Sequence, residues 1–267
     1  MPVVQRPHAA IYYEMCGDGP PLVLAHGAGG NTLVWWQQVP HFARRHRVLT
    51  FDHRGFGRSR CEPGFEQARH FAGDLAAVLD DAGIARAALV CQSMGGWTGL
   101  QLARARPERV AALILSGTPA GILTAKVRSA LQAIGEAAQQ VERAPAWNEA
   151  HPALDADIIE RDPARGFLYG QLTALNPPGA LARLALHEVM TEPAALVGWR
   201  IPTLLIAGEH DRLFAPQVLE DIAAVIPGAR FESLPHAGHS PYFESPHDFN
   251  RVVDAFLDAH WESRTAS

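Results

Sequence analysis

The stretch ALVCQSMGGW, residues 88–97, decides how the rest of this sequence is interpreted. The apolar run AALVCQ (87–92) predicts a buried strand, and residues 94–106 predict a helix that begins directly after Ser93. A serine on so tight a strand-to-helix turn holds its Oγ above the sheet, as in the G-x-S-x-G pattern of nucleophilic serines. The alternative is a serine that only caps the N-terminus of the helix.

The residues two positions before and after Ser93 bear on this choice. They must be small, because the strained turn brings the helix close to the neighbouring strands. Gly95 meets that demand, whereas Cys91 stands where glycine is usual. Cysteine is compact and tolerates apolar surroundings, so we expect Cys91 to serve as the small residue of the turn and not as a rival nucleophile.

Outward from this turn, short apolar runs alternate with helical patterns. The runs predict buried strands and the patterns predict amphipathic helices, which together favour an α/β fold. We predict a mainly parallel eight-stranded sheet with helices on both faces, and an antiparallel edge strand at AAIYYEMCG (9–17). The predicted strands are 22–27, 47–52, 87–92, 110–117, 202–208 and 229–235, and the predicted helices include 66–82, 94–106, 215–226 and 246–260.

The interval 119–199 breaks the alternation. It is helical in texture, contains several prolines, and is far too long for a loop inside a compact domain. We therefore predict a core domain formed by residues 1–118 and 200–267, and a helical cap (lid) formed by 119–199. Such an insertion is expected over the carboxyl ends of the strands, where open α/β sheets bind ligands. Its many leucines favour an apolar pocket.

A nucleophilic serine requires a base and an acid that orients the base. Asp211 follows the strand at 202–208, and His239 follows the strand at 229–235. Both positions are loops at carboxyl ends of strands, so Ser93, Asp211 and His239 are the predicted catalytic set. Glu209 is an alternative acid and His236 an alternative base.

An oxyanion hole needs two backbone N–H donors. Met94, at the start of a helix, is the first predicted donor, since the helix dipole also favours an anion there. Ala28, in the glycine-rich loop HGAGGN (26–31), is the second, and Gly27 and Gly29 would allow that loop to approach the turn. His26 is expected to tie the loop by hydrogen bonds.

Other polar groups do not indicate a second site. His236 and His239 lack the further ligands of a metal centre, and the glycine-rich loops lack phosphate-loop spacing, so no metal and no cofactor are predicted. The acidic run HPALDADIIERD (151–162) is interpreted as a solvated helix face.

Composition excludes several function classes. A formal net charge of −5 without a basic stripe argues against nucleic acid and anionic membranes as partners. No run approaches the ~18 apolar residues of a membrane span, and the N-terminus lacks a secretory pattern. Three widely spaced cysteines fit reduced thiols, so a cytoplasmic location is predicted. A homodimer stays an open alternative to a monomer.

Taken together, the motifs HGAGG (26–30), DHRGFGRS (52–59), CQSMGG (91–96), GEHD (208–211) and HAGHSPYFESP (236–246) resemble those of the α/β-hydrolase superfamily over essentially the whole chain. The resemblance implies the α/β-hydrolase fold with the chain order Ser, Asp, His. Within the superfamily the sequence is similar to capped bacterial esterases and enol-lactone hydrolases. It implies cleavage of a small, mainly apolar ester or lactone through an acyl-enzyme.

Three other activities remain alternatives under this resemblance. Carbon–carbon bond hydrolysis and cofactor-free haloperoxidase chemistry would use the same triad. The glycine run without proline and Ser240 directly after His239 depart from the carbon–carbon bond hydrolases. The third alternative is a small-molecule receptor on a hydrolase fold, and the intact Ser, Asp and His set argues against it.

Overall fold

The computed structural model describes residues 2–138, 149–177 and 183–260. Its centre is a sheet with strand order β1-β2-β4-β3-β6-β7-β8-β9, and a short strand β5 pairs with β2. The strands are β1 Val3–Arg6, β2 Ala9–Cys16, β3 Pro21–Ala25, β4 Arg47–Phe51, β5 Arg60–Cys61, β6 Ala87–Gln92, β7 Val110–Ser116, β8 Thr203–Gly208 and β9 Arg230–Leu234.

Strands β4, β3, β6, β7, β8 and β9 run parallel, whereas β1, β2 and β5 pair antiparallel. The predicted α/β-hydrolase fold is confirmed, with eight strands along the main path and β5 as a ninth beside it. The prediction that β2 forms the edge is wrong, because β1 pairs along its outer side from Val3 to Arg6.

The α-helices are α1 Val39–Phe42, α2 Phe71–Asp81, α3 Gly95–Ala105, α4 Ala125–Ala138, α5 Ile158–Arg161, α6 Pro163–Thr173, α7 Pro216–Val225, α8 Pro241–Glu244 and α9 Pro246–His260. The helical pattern around residues 35–45 forms only a 3-10 turn at Thr32–Trp35 and the single turn α1. Pro40 lies at the start of α1, where its missing N–H costs no helical hydrogen bond.

The hydrophobic core lies on both faces of the sheet. In β6, Leu89 and Cys91 face the helices α2, α3 and α7, whereas Ala88 and Val90 face α1 and α9. This alternation follows from the two-residue period of a strand. Every residue of β6 and β7 is buried, which explains their continuously apolar sequences.

Strands β7 and β8 are neighbours in the sheet, although more than 80 residues separate them in the chain. The residues between them include α4, α5 and α6, and we call 119–199 the intervening segment. Helix α6 begins at Pro163, and the Asp162 side chain caps it by accepting a hydrogen bond from the Arg165 N–H. The division into core domain and cap stays a prediction.

Candidate active site

The turn at Ser93 joins β6 to α3 and holds an uncommon backbone conformation. Ser93 has φ +48°, in the left-handed region that a residue with a Cβ rarely adopts. Its N–H donates to the Ser116 carbonyl (2.9 Å), and its carbonyl accepts from the Gly96 N–H (2.8 Å). Holding a residue in such a conformation costs about 1–3 kcal/mol, which the surrounding structure must supply. The strain expected at this turn is therefore present.

Cys91 is the small residue that lies beneath this turn. It is fully buried at the end of β6, and its Sγ would lie 2.5 Å from a Cβ added at Gly99 in α3. Burial raises the pKa of the Cys91 thiol well above its usual value, so the reactive thiolate does not form near neutral pH. Cys91 thus packs against the helix, as expected for the small residue of the turn.

Ser93, His239 and Asp211 form one hydrogen-bonded chain. The Ser93 Oγ and the His239 Nε2 are 2.9 Å apart, and the His239 Nδ1 and the Asp211 Oδ2 are also 2.9 Å apart. Beside an ionised carboxylate the Nδ1 carries the proton, which leaves Nε2 free to accept the serine hydroxyl proton. The three predicted residues are therefore brought together in the order that nucleophile activation requires.

The Asp211 carboxylate is itself held in place. Its side chain is fully buried, and Oδ1 accepts hydrogen bonds from the N–H groups of Leu213 (2.8 Å) and Phe214 (2.9 Å). Only Oδ2 is directed to His239. Because backbone donors fix Oδ1, the carboxylate cannot rotate freely, and Oδ2 stays directed at the His239 Nδ1.

The two alternative residues lie outside this chain. The Glu209 side chain is exposed and makes only a 4.0 Å contact with His210. His236 is exposed, and its backbone carbonyl accepts a hydrogen bond from Arg161. The hydrogen bonds to Ser93 and along the chain come from His239 and Asp211, so the geometry favours these two residues.

The predicted oxyanion donors lie on two loops that meet at Ser93. Met94 directly precedes α3, and no residue in the described part of the chain accepts a hydrogen bond from its N–H or from that of Ala28. A Cβ added at Gly27 would lie 2.9 Å from the Ser93 Cβ, so this loop packs directly against the turn. A Cβ added at Gly29 would lie 3.3 Å from the Thr173 side chain.

His26 ties the glycine-rich loop to the sheet, as expected. Its Nδ1–H donates to the Gly27 carbonyl (2.7 Å), and its Nε2 accepts from the His53 N–H (3.0 Å). Burial lowers the pKa of both histidines, so both rings are neutral near pH 7. From the other side, the Asn176 Nδ2 donates to the Gly29 carbonyl (3.0 Å). The loop is thus held by the sheet and by the intervening segment.

The interpretation of 151–162 as a solvated acidic face is wrong for Asp155. Its carboxylate is buried and accepts hydrogen bonds from Arg161 (2.7 Å) and His210 (2.9 Å). Burial alone would raise the pKa of Asp155. Hydrogen bonds from His210 and from the Asp157 backbone, together with the charge of Arg161, instead hold this pKa below its usual value. Asp157 and Glu160 are exposed, as expected for a solvated face.

Two further residues of the intervening segment, Tyr169 and His151, lie beside the candidate base. The Tyr169 hydroxyl is 3.1 Å from the Ser240 Oγ, and the Tyr169 and His151 rings are 5.0 Å apart. Burial, with smaller contributions from His239 and Arg212, lowers the pKa of His151 to about 4. Both side chains are therefore uncharged near neutral pH.

The residues described, 2–138, 149–177 and 183–260, hold neither a metal cluster nor a membrane span. Within them, no group of three His, Cys, Asp or Glu side chains is arranged to hold a metal ion. No helix in the same ranges combines the length and apolarity needed to cross a bilayer.

The sequence model of the alpha/beta hydrolase family matches residues 22–252. The chain is 32% identical to a protein of Pseudomonas savastanoi provisionally named carbamate hydrolase RutD, over 91% of this chain and 95% of that protein. Its structure is similar to a thermophilic esterase from Thermogutta terrifontis (TM-score 0.78, 26% identity, 94% of each chain). It is equally similar to the enol-lactonase from Burkholderia xenovorans (TM-score 0.78, 26% identity, 96% of this chain and 100% of that one).

Proposed function

The chain belongs to the alpha/beta hydrolase family, and from this premise we propose that it is a serine hydrolase that cleaves small carboxylic esters or lactones. The observation that carries the proposal is the chain of two 2.9 Å contacts from Ser93 through His239 to Asp211. A strained turn that exposes the serine and a buried, doubly anchored carboxylate support it. No cofactor takes part in the proposed reaction.

In the proposed mechanism the Ser93 Oγ attacks the substrate carbonyl carbon while the His239 Nε2 takes the hydroxyl proton. The oxyanion accepts hydrogen bonds from the N–H groups of Met94 and Ala28. Collapse of the tetrahedral intermediate breaks the bond to the alcohol oxygen, which takes the proton from His239. Water, deprotonated by His239, then attacks the acyl-enzyme and releases the carboxylic acid and Ser93. Asp211 stabilises the imidazolium in both steps.

The substrate side of the site is assigned to the intervening segment, which we propose is a cap. Its residues Thr173 and Asn176 contact the loop of Ala28, and its residue Tyr169 contacts Ser240 beside the proposed base. These three side chains carry no charge that would favour an ionic substrate. Esters and lactones of low polarity fit such surroundings, and the structural similarity to an esterase and an enol-lactonase supports the same substrate class.

The test is a panel of p-nitrophenyl esters of graded chain length and simple lactones, assayed with the purified wild type and Ser93→Ala. We expect turnover by the wild type and a loss of at least about 10³-fold in the variant, since the nucleophile is removed. A fluorophosphonate probe should label Ser93 alone. Labelling of another residue, or retention of more than a few per cent of activity by Ser93→Ala, would contradict the proposal.

Carbamate hydrolysis is a second candidate, supported by the 32% identical relative. The same attack by Ser93 on a carbamate carbonyl would require no further residue. Competition between a p-nitrophenyl ester and an alkyl carbamate of equal length distinguishes the two. The ratio of kcat/KM for the ester to kcat/KM for the carbamate is compared with the ratio of their uncatalysed hydrolysis rates. An ester hydrolase should give the larger ratio, and a carbamate hydrolase the smaller one.

A further inference from the structure

Glu244, at the end of α8, is a buried carboxylate that lies beside the loop of His239. Its Oε1 accepts hydrogen bonds from the Gly238 N–H (2.9 Å) and from the Ser240 N–H (3.3 Å). These two residues flank His239 in the chain. One carboxylate oxygen therefore fixes the backbone on both sides of the imidazole.

The other oxygen of Glu244 reaches the intervening segment. Oε2 accepts a hydrogen bond from the Asp155 N–H (2.6 Å), a residue 89 positions earlier in the chain. The Asp155 side chain then contacts His210, the residue before Asp211. Arg161 completes the network, since it donates both to the Asp155 carboxylate and to the His236 carbonyl (3.1 Å).

We propose that Glu244 is a positioning residue that divides its two oxygens between two tasks. Oε1 aligns the loop that carries His239, and Oε2 holds the part of the intervening segment around Asp155 against that loop. Closure of the substrate pocket and alignment of the base then depend on one side chain. The inference rests on the proposed function in two respects: that His239 is the base and that the intervening segment is a cap over the site.

The two tasks can be separated by the Glu244→Gln variant. The amide oxygen of glutamine can still accept the hydrogen bonds from Gly238 and Ser240. Its NH₂ group then faces the Asp155 N–H, and two donors meet where a hydrogen bond existed. Leaving a buried N–H unpaired costs enough to weaken the contact with the segment by about tenfold or more. Glu244→Ala removes both sets of bonds.

The geometry also predicts how pH acts on this contact. Burial raises the pKa of Glu244 to about 7, although its three backbone N–H bonds oppose the shift. A proton on Oε2 would have the same effect as the glutamine NH₂. Among the groups that face Glu244, Asp155 is ionised, and burial raises the pKa of Tyr169 to about 12 and that of Tyr242 further, so both are neutral. Arg165 pairs with the Asp162 carboxylate (3.1 Å) and reaches Glu244 at its backbone carbonyl (2.8 Å).

The first test is hydrogen exchange followed by mass spectrometry on the full-length protein, which needs no substrate. In Glu244→Gln we expect exchange in peptides covering 153–158 to accelerate about tenfold, while peptides covering 237–241 stay within twofold of the wild type. Glu244→Ala should accelerate both. The exposed carboxylate variant Glu232→Gln is the matched control and should change neither. Equal acceleration of both regions in Glu244→Gln, or none, would overturn the proposal.

The second test is the kinetics of the same variants on the best ester found. Glu244→Gln should raise KM about tenfold with kcat within threefold, whereas Glu244→Ala should lower kcat as well. The ratio of the KM of Glu244→Gln to the KM of the wild type should be largest above pH 8, where Glu244 is ionised. It should approach one below pH 6, where Glu244 is protonated and resembles glutamine. A ratio independent of pH would contradict the separate role of Oε2, even if Ser93 is confirmed as the nucleophile.

Discussion

The Ser93 turn (residues 91–95) and the intervening segment (119–199) meet at the same site but are built in different ways. At the turn, the space is fully occupied: a Cβ added at Gly95 would lie 2.4 Å from the Ala25 carbonyl oxygen. In the segment, no described atom lies within 4 Å of a Cβ added at Gly170. The turn is held by backbone packed on backbone, and the segment by side chains: apolar ones such as Leu154 and Ile158 pack into the core, and polar contacts such as Asp155 with Glu244 add to them.

This difference separates the turn that we propose carries the nucleophile from the segment that we propose selects the substrate. Packing of backbone on backbone allows little displacement, and rate depends on positioning within about 1 Å. A layer joined through side chains can shift and change its lining residues at lower cost. Substitutions of similar size should therefore have very different effects in the two regions.

The largest effect is expected for Asp211→Asn. The amide oxygen can keep the bonds from Leu213 and Phe214, but the NH₂ group then faces His239 and favours the tautomer with Nε2 protonated. That tautomer cannot accept the Ser93 proton, so kcat should fall about 10³–10⁴-fold with a small change in stability. Steady-state kinetics and urea unfolding measure the two quantities.

The control for this variant is a second histidine–aspartate pair, away from the site. The His41 Nε2 lies 2.7 Å from the Asp254 Oδ2 at the surface of α9. Asp254→Asn should leave kcat within twofold. A comparable fall in both variants would show that the loss reflects general damage to the fold and not the tautomer of His239.

The next effect in size is expected for Gly95→Ala. The added methyl group meets backbone atoms of β3, which cannot rotate away as a side chain can. Displacement of α3 from the turn should lower kcat about 10²-fold and the free energy of unfolding by about 1–3 kcal/mol. Circular dichroism tests whether the variant folds, steady-state kinetics measure kcat, and urea unfolding measures the free energy of unfolding. A variant with wild-type kcat would remove the basis for contrasting the two regions.

The turn could be predicted from sequence because its requirements are local. Strand, serine and helix follow one another in ten residues, and the small residues fall at fixed positions around Ser93. Asp211 and His239 could also be predicted from the sequence, since each lies in the loop that follows a strand at the same edge of the sheet. Cys91 was the one departure, and the structure shows it packed against Gly99.

The contacts of the intervening segment could not be predicted in the same way. Asp155 sits in an acidic run, and its burial depends on Arg161, His210 and the distant Glu244. Such partners are set by tertiary packing, which leaves no short-range pattern. The β1 strand was missed for a related reason: its four half-exposed residues alternate too briefly to show a period.

A smaller effect is expected for Gly99→Ala, and it should be partly reversed by a second substitution. The new Cβ would lie 2.5 Å from the Cys91 Sγ and 2.9 Å from the Leu113 Cδ1. The single variant should lose about 1–3 kcal/mol of unfolding free energy. Adding Cys91→Ala removes the nearer atom, so the double variant should be more stable than Gly99→Ala alone, with a coupling energy of about 1 kcal/mol.

Urea unfolding of the wild type, the two single variants and the double variant gives this coupling energy. Cys91→Ala alone should retain wild-type kcat. If the two substitutions add without coupling, the thiol and the glycine do not share one space. A bulky replacement at Cys91, such as phenylalanine, is expected to lower stability and kcat together, because the strand end lies directly under Ser93.

The smallest effect is expected for Gly170→Ala in α6, and it should have the opposite sign. The residue lies in a helix with a negative φ, and the methyl group would enter open space. Alanine restricts the unfolded chain more than glycine and favours the helix, so the free energy of unfolding should rise by about 0.5–1 kcal/mol. Urea unfolding measures the change, and kcat should stay within twofold. A loss of stability as large as that of Gly95→Ala would show that the segment is packed as tightly as the turn.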